Sequence, residues 1–134
     1  MKESILYRAG YKYQLARTYS IKLGIAGAAD TLFFTLWKGD LTIREGYAWD
    51  GPSGPAIDTA NFMRGSLVHD VLYQLIREGY LPESSRELAD RILQRICKED
   101  GMSALRAWWV YTGVRFGGGP AANPANAKPV LTAP

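Results

Sequence analysis

Apolar and polar residues alternate with a period of two near the start of the chain. Tyr11, Tyr13 and Leu15 are separated by Lys12 and Gln14, and Ser20-Ile21-Lys22-Leu23 repeats the pattern. That period buries one side of a strand and wets the other. Two further β-rich runs, Leu32-Phe33-Phe34-Thr35-Leu36-Trp37 and Leu41-Thr42-Ile43, flank Lys38-Gly39-Asp40 and predict a hairpin about a short glycine-containing turn. Residues 1–47 are therefore expected to form an antiparallel β section.

The pattern breaks over residues 46–59, which hold three Gly and two Pro together with Asp50 and Asp58. Pro52 and Pro55 exclude an ordinary helix or central strand, so a fixed loop is expected over residues 48–60. Beyond it the period becomes helical. Phe62, Gly65, His69, Leu72, Tyr73 and Ile76 fall near one face of a first helix spanning about residues 61–78, with Gly79 as its stop. A second helix begins near Ser84, where Ser84-Ser85-Arg86-Glu87 fits a capping box, and runs through Leu88, Ile92, Leu93 and Ile96 to near Gly101. The short connection, which contains Pro82, makes the two helices antiparallel neighbours. A third helix spans about residues 103–116 with Ser103 as N-cap. The expected fold is one α+β domain over residues 1–116: an N-terminal antiparallel β section, then three helices over 61–116, with helices one and two an antiparallel pair. Residues 117–134, with three consecutive Gly and four Pro, are expected to be a disordered tail.

Composition narrows the function. At 134 residues the chain can bury one core, and 47% apolar with 22% charged residues is ordinary for a soluble domain. The net charge of +3 comes from scattered Lys and Arg without a basic stripe, so nucleic acid is not expected as a partner. Cys97 is the single cysteine; no intrachain disulfide can form, and its place in the apolar pattern of helix two marks it as a small core residue. No signal peptide or spanning helix is expected, since no apolar stretch is long enough.

The chemistry centres on His69, the only histidine. His69 and Asp70 diverge by about 100° around the helix and meet different neighbours, while Tyr73 lies one turn on from His69. Asp90 sits inside the apolar pattern of helix two, about as far past the connection as His69 is before it. Across an antiparallel seam the carboxylate can hold one ring nitrogen and leave the other to take a proton from water. A purely structural His–Asp hydrogen bond fits the same spacing. Asp70, Asp50 and carbonyls around Tyr47 and Gly51 would make a hard-oxygen site suited to calcium, although an Asp before Gly is also a common turn. One His and one Cys supply a zinc site poorly, and Pro55 stands where a Gly-x-Ser-x-Gly elbow needs its second glycine. The adjacent Trp108 and Trp109 cannot both face a core, so at least one is expected on the surface.

His69-Asp70-Val71-Leu72-Tyr73 resembles the His-Asp-x-x-Tyr signature of phospholipases A2, most closely the small bacterial and fungal forms. Trp49-Asp50-Gly51-Pro52-Ser53 is similar to their Asp-Gly loop, and Asp90 to the aspartate that partners the histidine. The likeness covers about residues 46–96. It implies calcium-dependent hydrolysis of phospholipid acyl esters, with catalytic residues His69, Asp90 and Tyr73 and calcium held by Asp70, Asp50, Tyr47 and Gly51. A phospholipid or membrane surface would be the partner. The whole chain also resembles small uncharacterised proteins of tailed phages and prophages, through Tyr47 to Asp58, Arg64 to Tyr73 and Arg106-Ala107-Trp108-Trp109. That resemblance implies host cytoplasm or phage particle as the location. It also offers an alternative function, a non-enzymatic virion, tail or assembly protein with other virion proteins as partners.

Overall fold

A computed structural model describes residues 3–5, 7–8, 13–49 and 59–123. Its architecture is the expected α+β one, with the β section split into two small antiparallel sheets. The first contains β1 (Tyr7–Arg8), β2 (Tyr13–Leu15) and β7 (Ala48–Trp49) in the order β1-β2-β7. The second contains β3 (Tyr19–Lys22), β4 (Ala29–Asp30), β5 (Phe34–Trp37) and β6 (Asp40–Ile43) in the order β3-β6-β5-β4. The split follows from the bend after Leu15, which pairs with residues 46 and 47 through Leu15 N–H to Tyr47 O and Gly46 N–H to Leu15 O. Strand structure therefore extends to Trp49, two residues past the expected boundary.

The predicted hairpin forms as β5 and β6, with Trp37 opposite Asp40. Lys38 and Gly39 both take positive φ, 49° and 83°, the conformation that matches the twist of a two-residue hairpin. Alternation along β3 is strict: Tyr19 and Ile21 are buried, Ser20 and Lys22 exposed.

Among the described residues four helices follow: α1 (Ala60–Arg77), α2 (Arg86–Glu99), α3 (Ala104–Gly117) and the single turn α4 (Gly119–Ala122). The expected capping box at Ser84–Glu87 does not form. Residues Glu83–Ser85 make a 3-10 turn instead, and Ser85, in helical conformation, caps nothing with its side chain. Ser103 does cap α3, accepting from the Arg106 N–H at 3.2 Å. The tail does not begin at residue 117: α4 packs on α1, and Ala122 joins the core at 3% exposure. Residues 124–134 lie outside the described residues.

The sequence pattern gives α1 one apolar face, yet it is buried nearly all round, including Met63, Leu67, Val68, Val71 and Leu75 beside the predicted positions. It is the spine of the fold, packed on α2 and α4 and bonded to side chains of the β section. Trp49 of β7 donates its ring N–H to Ser66 Oγ at 3.1 Å, fastening the first sheet to this spine. A second fastening is the buried Arg64. Its guanidinium meets both Asp100 oxygens (3.0 Å to each), Glu99 Oε1 (3.1 Å), the Tyr19 hydroxyl (2.8 Å) and Glu3. Burial, offset by Arg64, pushes the Tyr19 phenol up to about 12.

Cross-seam contacts pair Arg64 with Asp100, Gly65 with Cys97 and Leu93, His69 with Asp90 and Tyr73 with Arg86. The numbers rise on one helix as they fall on the other, so α1 and α2 are antiparallel as expected. The helices touch at Gly65: a Cβ there would stand 2.9 Å from Cys97 Sγ and 3.0 Å from Leu93 Cδ1. Cys97 is fully buried, and burial followed by the Asp100 charge pushes its thiol up to about 12, so it is a packing residue without thiolate reactivity at neutral pH.

Overpacking at this crossing costs about 1–3 kcal/mol, more than the roughly 1 kcal/mol that alanine gains over glycine in a helix. Gly65→Ala is expected to lower the urea midpoint. In that background Cys97→Ala should cost less than it does alone, with a coupling of at least about 0.5 kcal/mol in the double-mutant cycle. Simple additivity would show that the two positions do not touch.

Candidate functional site

Asp90 has no exposed surface, and its carboxylate gathers three side chains from two other helices. From α1, His69 Nε2 lies 2.7 Å from Asp90 Oδ1 and the Tyr73 hydroxyl donates to the same oxygen at 2.6 Å. From α3, Arg115 Nη1 donates to Oδ2 at 2.9 Å. Helical spacing explains the first two: residues 69 and 73 are one turn apart, and their rings lie 4.1 Å centroid to centroid. Burial works against the Asp90 charge, but hydrogen bonds from His69 and Tyr73, the His69 charge and the Arg115 bond together hold the carboxyl below its ordinary 3.8.

An ionised carboxylate only accepts, so His69 Nε2 carries the hydrogen of the shared bond. In the neutral ring the lone pair is then on Nδ1, which meets no hydrogen-bonding partner among the described residues. His69 keeps 7% of its surface exposed, whereas Asp90 keeps none. A buried, oriented imidazole whose second nitrogen has no partner among the described residues can accept a proton from a water or alcohol that reaches it.

Tyr73 is held in turn. Its hydroxyl accepts from Arg86 Nε at 3.1 Å, and burial, then its bond to the Asp90 charge, push the phenol above its usual range. It remains a donor at any ordinary pH. Arg86 also donates through Nη2 to the carbonyls of Val114 (2.7 Å) and Arg115 (2.5 Å) in the last turn of α3, where the Val114 carbonyl accepts the Gly118 N–H as well, at 2.9 Å. Gly118 passes close by: a Cβ there would stand 2.7 Å from the Tyr73 hydroxyl. The cluster is thus closed by the end of α3 and the start of α4.

The structure brings together His69, Tyr73 and Asp90 of the expected residues, and adds Arg115 and Arg86. Neither arginine carried a signal in the hydrophobic pattern; the available clue was an Arg in the last turn of an otherwise apolar helix. Asp70 follows His69 on α1 and is half-buried. Tyr47 lies in the first sheet's edge connection, where its carbonyl accepts from Leu15 N–H and its hydroxyl donates to Gln74 Oε1 at 3.0 Å. Asp50 and Gly51 lie outside the described residues. Among the described residues no group of three or more His, Cys, Asp or Glu is placed to hold a metal. A hard-oxygen calcium site would therefore need the donors of residues 50–51 beside Asp70 and the second lone pair of the Tyr47 carbonyl.

An acid whose folded value lies below its unfolded value stabilises the fold above the unfolded value and loses that stabilisation as pH falls through the folded one. Arg115→Met removes one support of the Asp90 charge. The expected loss near neutral pH is at the low end of about 3–5 kcal/mol, because the arginine side chain keeps 31% exposure. The gap between wild type and variant in urea midpoint should shrink as the pH is taken below 3.8. A gap that is constant with pH would mean that Arg115 acts by packing and not through the carboxylate.

No curated protein and no solved structure matches the chain. One family model does, over residues 29–114, a stretch from β4 into the last turns of α3 that takes in His69, Asp70, Tyr73 and Asp90. The match covers more than half of the chain, which therefore belongs to the DUF1353 family, described as proteins of unknown function.

Proposed function

We propose that this protein is a phospholipase A2-like hydrolase of phospholipid acyl esters, encoded by a phage or prophage and dependent on calcium. The observation that carries the reading is the buried His69–Asp90 pair at 2.7 Å, with Tyr73 on the same carboxylate oxygen and His69 Nδ1 without a partner among the described residues. His69 is the general base: Nδ1 takes a proton from water as the water oxygen attacks the ester carbonyl. Asp90 fixes the ring and stabilises the imidazolium that forms. Tyr73 holds Asp90 in place and, as a donor of raised pKa, does not compete for the proton. When bound through Asp70, Asp50, Gly51 and the Tyr47 carbonyl, calcium supplies Lewis acidity at the ester carbonyl and charge for the oxyanion. A second reading, a phage virion or assembly protein, is favoured by the outward aromatic face of α3, where Trp108 is 53% and Trp109 65% exposed.

The test is fatty-acid release from phospholipid vesicles, with millimolar calcium and with chelator. Release is expected only with calcium, and His69→Gln should lower it by at least about 100-fold while leaving the fold intact. Calcium at about 100 times its dissociation constant should stabilise the protein by about 2.7 kcal/mol, an increment lost in Asp70→Asn. Melting that is unmoved by calcium, together with no release above the chelator control, would leave the assembly role as the better reading.

A further inference from the structure

We infer that α3 is a dimerisation helix, which pairs antiparallel across a two-fold axis with α3 of a second copy of this chain. The helix is apolar on both sides. On its inner side Ala107 is buried, and Val110 and Val114 are partly buried with Phe62, Leu93, Cys97 and Met102. Its outer side carries Leu105, Trp109 and Phe116, which are 69%, 65% and 88% exposed, with the half-buried Thr112 among them. A helix that is apolar all round is one that is covered all round. The single chain covers only the inner side. No helix among the described residues is long and apolar enough to cross a membrane, so a bilayer span does not account for the outer one.

Spacing selects the occupant. Leu105, Trp109, Thr112 and Phe116 follow one another in steps of four, three and four. At about 100° per residue they fall within an arc of about 60°, opposite Ala107. That is the narrow seam by which one helix packs along another, not the broader band, over about 100°, of a helix laid on an extended apolar surface. The steps also read the same in both directions, which makes the seam self-complementary under a two-fold axis. With the axis level with the middle of the seam, Leu105 comes level with Phe116 of the second copy. Trp109 comes level with Thr112 of the second copy, a large side chain against a small one.

Charge and area agree with this arrangement. Arg106 and Arg115 lie about 90° to either side of the seam, and Arg115 is held by Asp90. Antiparallel pairing sets each arginine about 13 Å along the axis from its own counterpart, beyond the screening length of ordinary salt. Parallel pairing would set each beside its counterpart. Trp108 meets Trp109 edge to face, with centroids 6.2 Å apart, and widens the seam on one flank. The exposed parts of Leu105, Trp108, Trp109 and Phe116 come to roughly 600 Å² per copy for side chains of this size. Pairing can therefore bury up to about 1,200 Å² in all, past the roughly 1,000 Å² that a specific interface needs and at the low end of stable ones. A dissociation constant in the micromolar range is expected. The pairing needs neither calcium nor turnover, so it stands or falls apart from the hydrolase reading.

The experiment is sedimentation equilibrium of the full chain across the micromolar range, in chelator. Wild type and His69→Gln should show the same monomer–dimer equilibrium. Trp109→Ser with Phe116→Ser, shown folded by circular dichroism, should raise the dissociation constant by at least about tenfold. Orientation is read by oxidative cross-linking. Thr112→Cys puts a thiol about 4.5 Å along the axis from its counterpart and should give a disulfide-linked dimer, whereas Leu105→Cys puts one about 16 Å away and should not. A chain that stays monomeric throughout overturns the proposal, and phospholipid vesicle binding by that monomer would give the face to lipid instead. Dimers undiminished in the double variant, or Leu105→Cys cross-linking as readily as Thr112→Cys, overturn it as well.

Discussion

A carboxylate with no exposed surface is tolerated only when donors surround it, and Asp90 imposes that requirement on three helices at once. It sits on α2, takes two donors one turn apart from α1, and takes its cationic partner from the far end of α3. Removing α1 or α3 from this arrangement would leave the buried charge short of donors. The helix pair is packed at one end by Gly65 against Leu93 and Cys97, and at the other by this polar knot. Arg86 completes it by joining Tyr73 to the Val114 and Arg115 carbonyls at the end of α3, where a cation also opposes the negative end of the helix dipole.

The parts legible in the sequence are those set by local periodicity. Alternation at residues 19–22, the Lys38-Gly39 turn and the apolar spacing of residues 62–76 each encode their element without reference to the rest of the chain. The short connection after Gly79 then fixes the antiparallel pair, and with it the approach of His69 to Asp90. The calcium donors are a different matter: two of the four expected, Asp50 and Gly51, lie outside the described residues, and Tyr47 is engaged in the sheet.

What stayed hidden depends on partners far apart in sequence. Arg64 reads as a polar position on a helix, yet it is 3% exposed because Asp100, Glu99, Tyr19 and Glu3 converge on it from three separate elements. Arg115 is hidden in the same way, 25 residues from its carboxylate. The capping box failed because Ser84, its expected cap, lies inside the 3-10 turn Glu83–Ser85, and Ser85, which precedes α2, is already in helical conformation. The tail was misjudged at its start because Ala and Gly carry almost no hydrophobic signal. Small residues are nevertheless what can fit beside Tyr73 and Arg86, as the 2.7 Å clearance at Gly118 shows.

Arg115 links the chemistry of the cluster to the surface of α3. A carboxylate shared among an imidazole, a phenol and a guanidinium offers less of its charge to the imidazole than one held by the imidazole alone. With Arg115 on Oδ2 and His69 and Tyr73 on Oδ1, the carboxylate is fixed from both oxygens and holds the imidazole through Nε2. The arginine is the one partner of Asp90 with substantial exposure, 31% of its side chain, and so the one with an alternative in solvent or on an anion. It is also one residue from the exposed Phe116. The imidazole and phenol that meet Asp90 are thus carried by α1, and the guanidinium by α3.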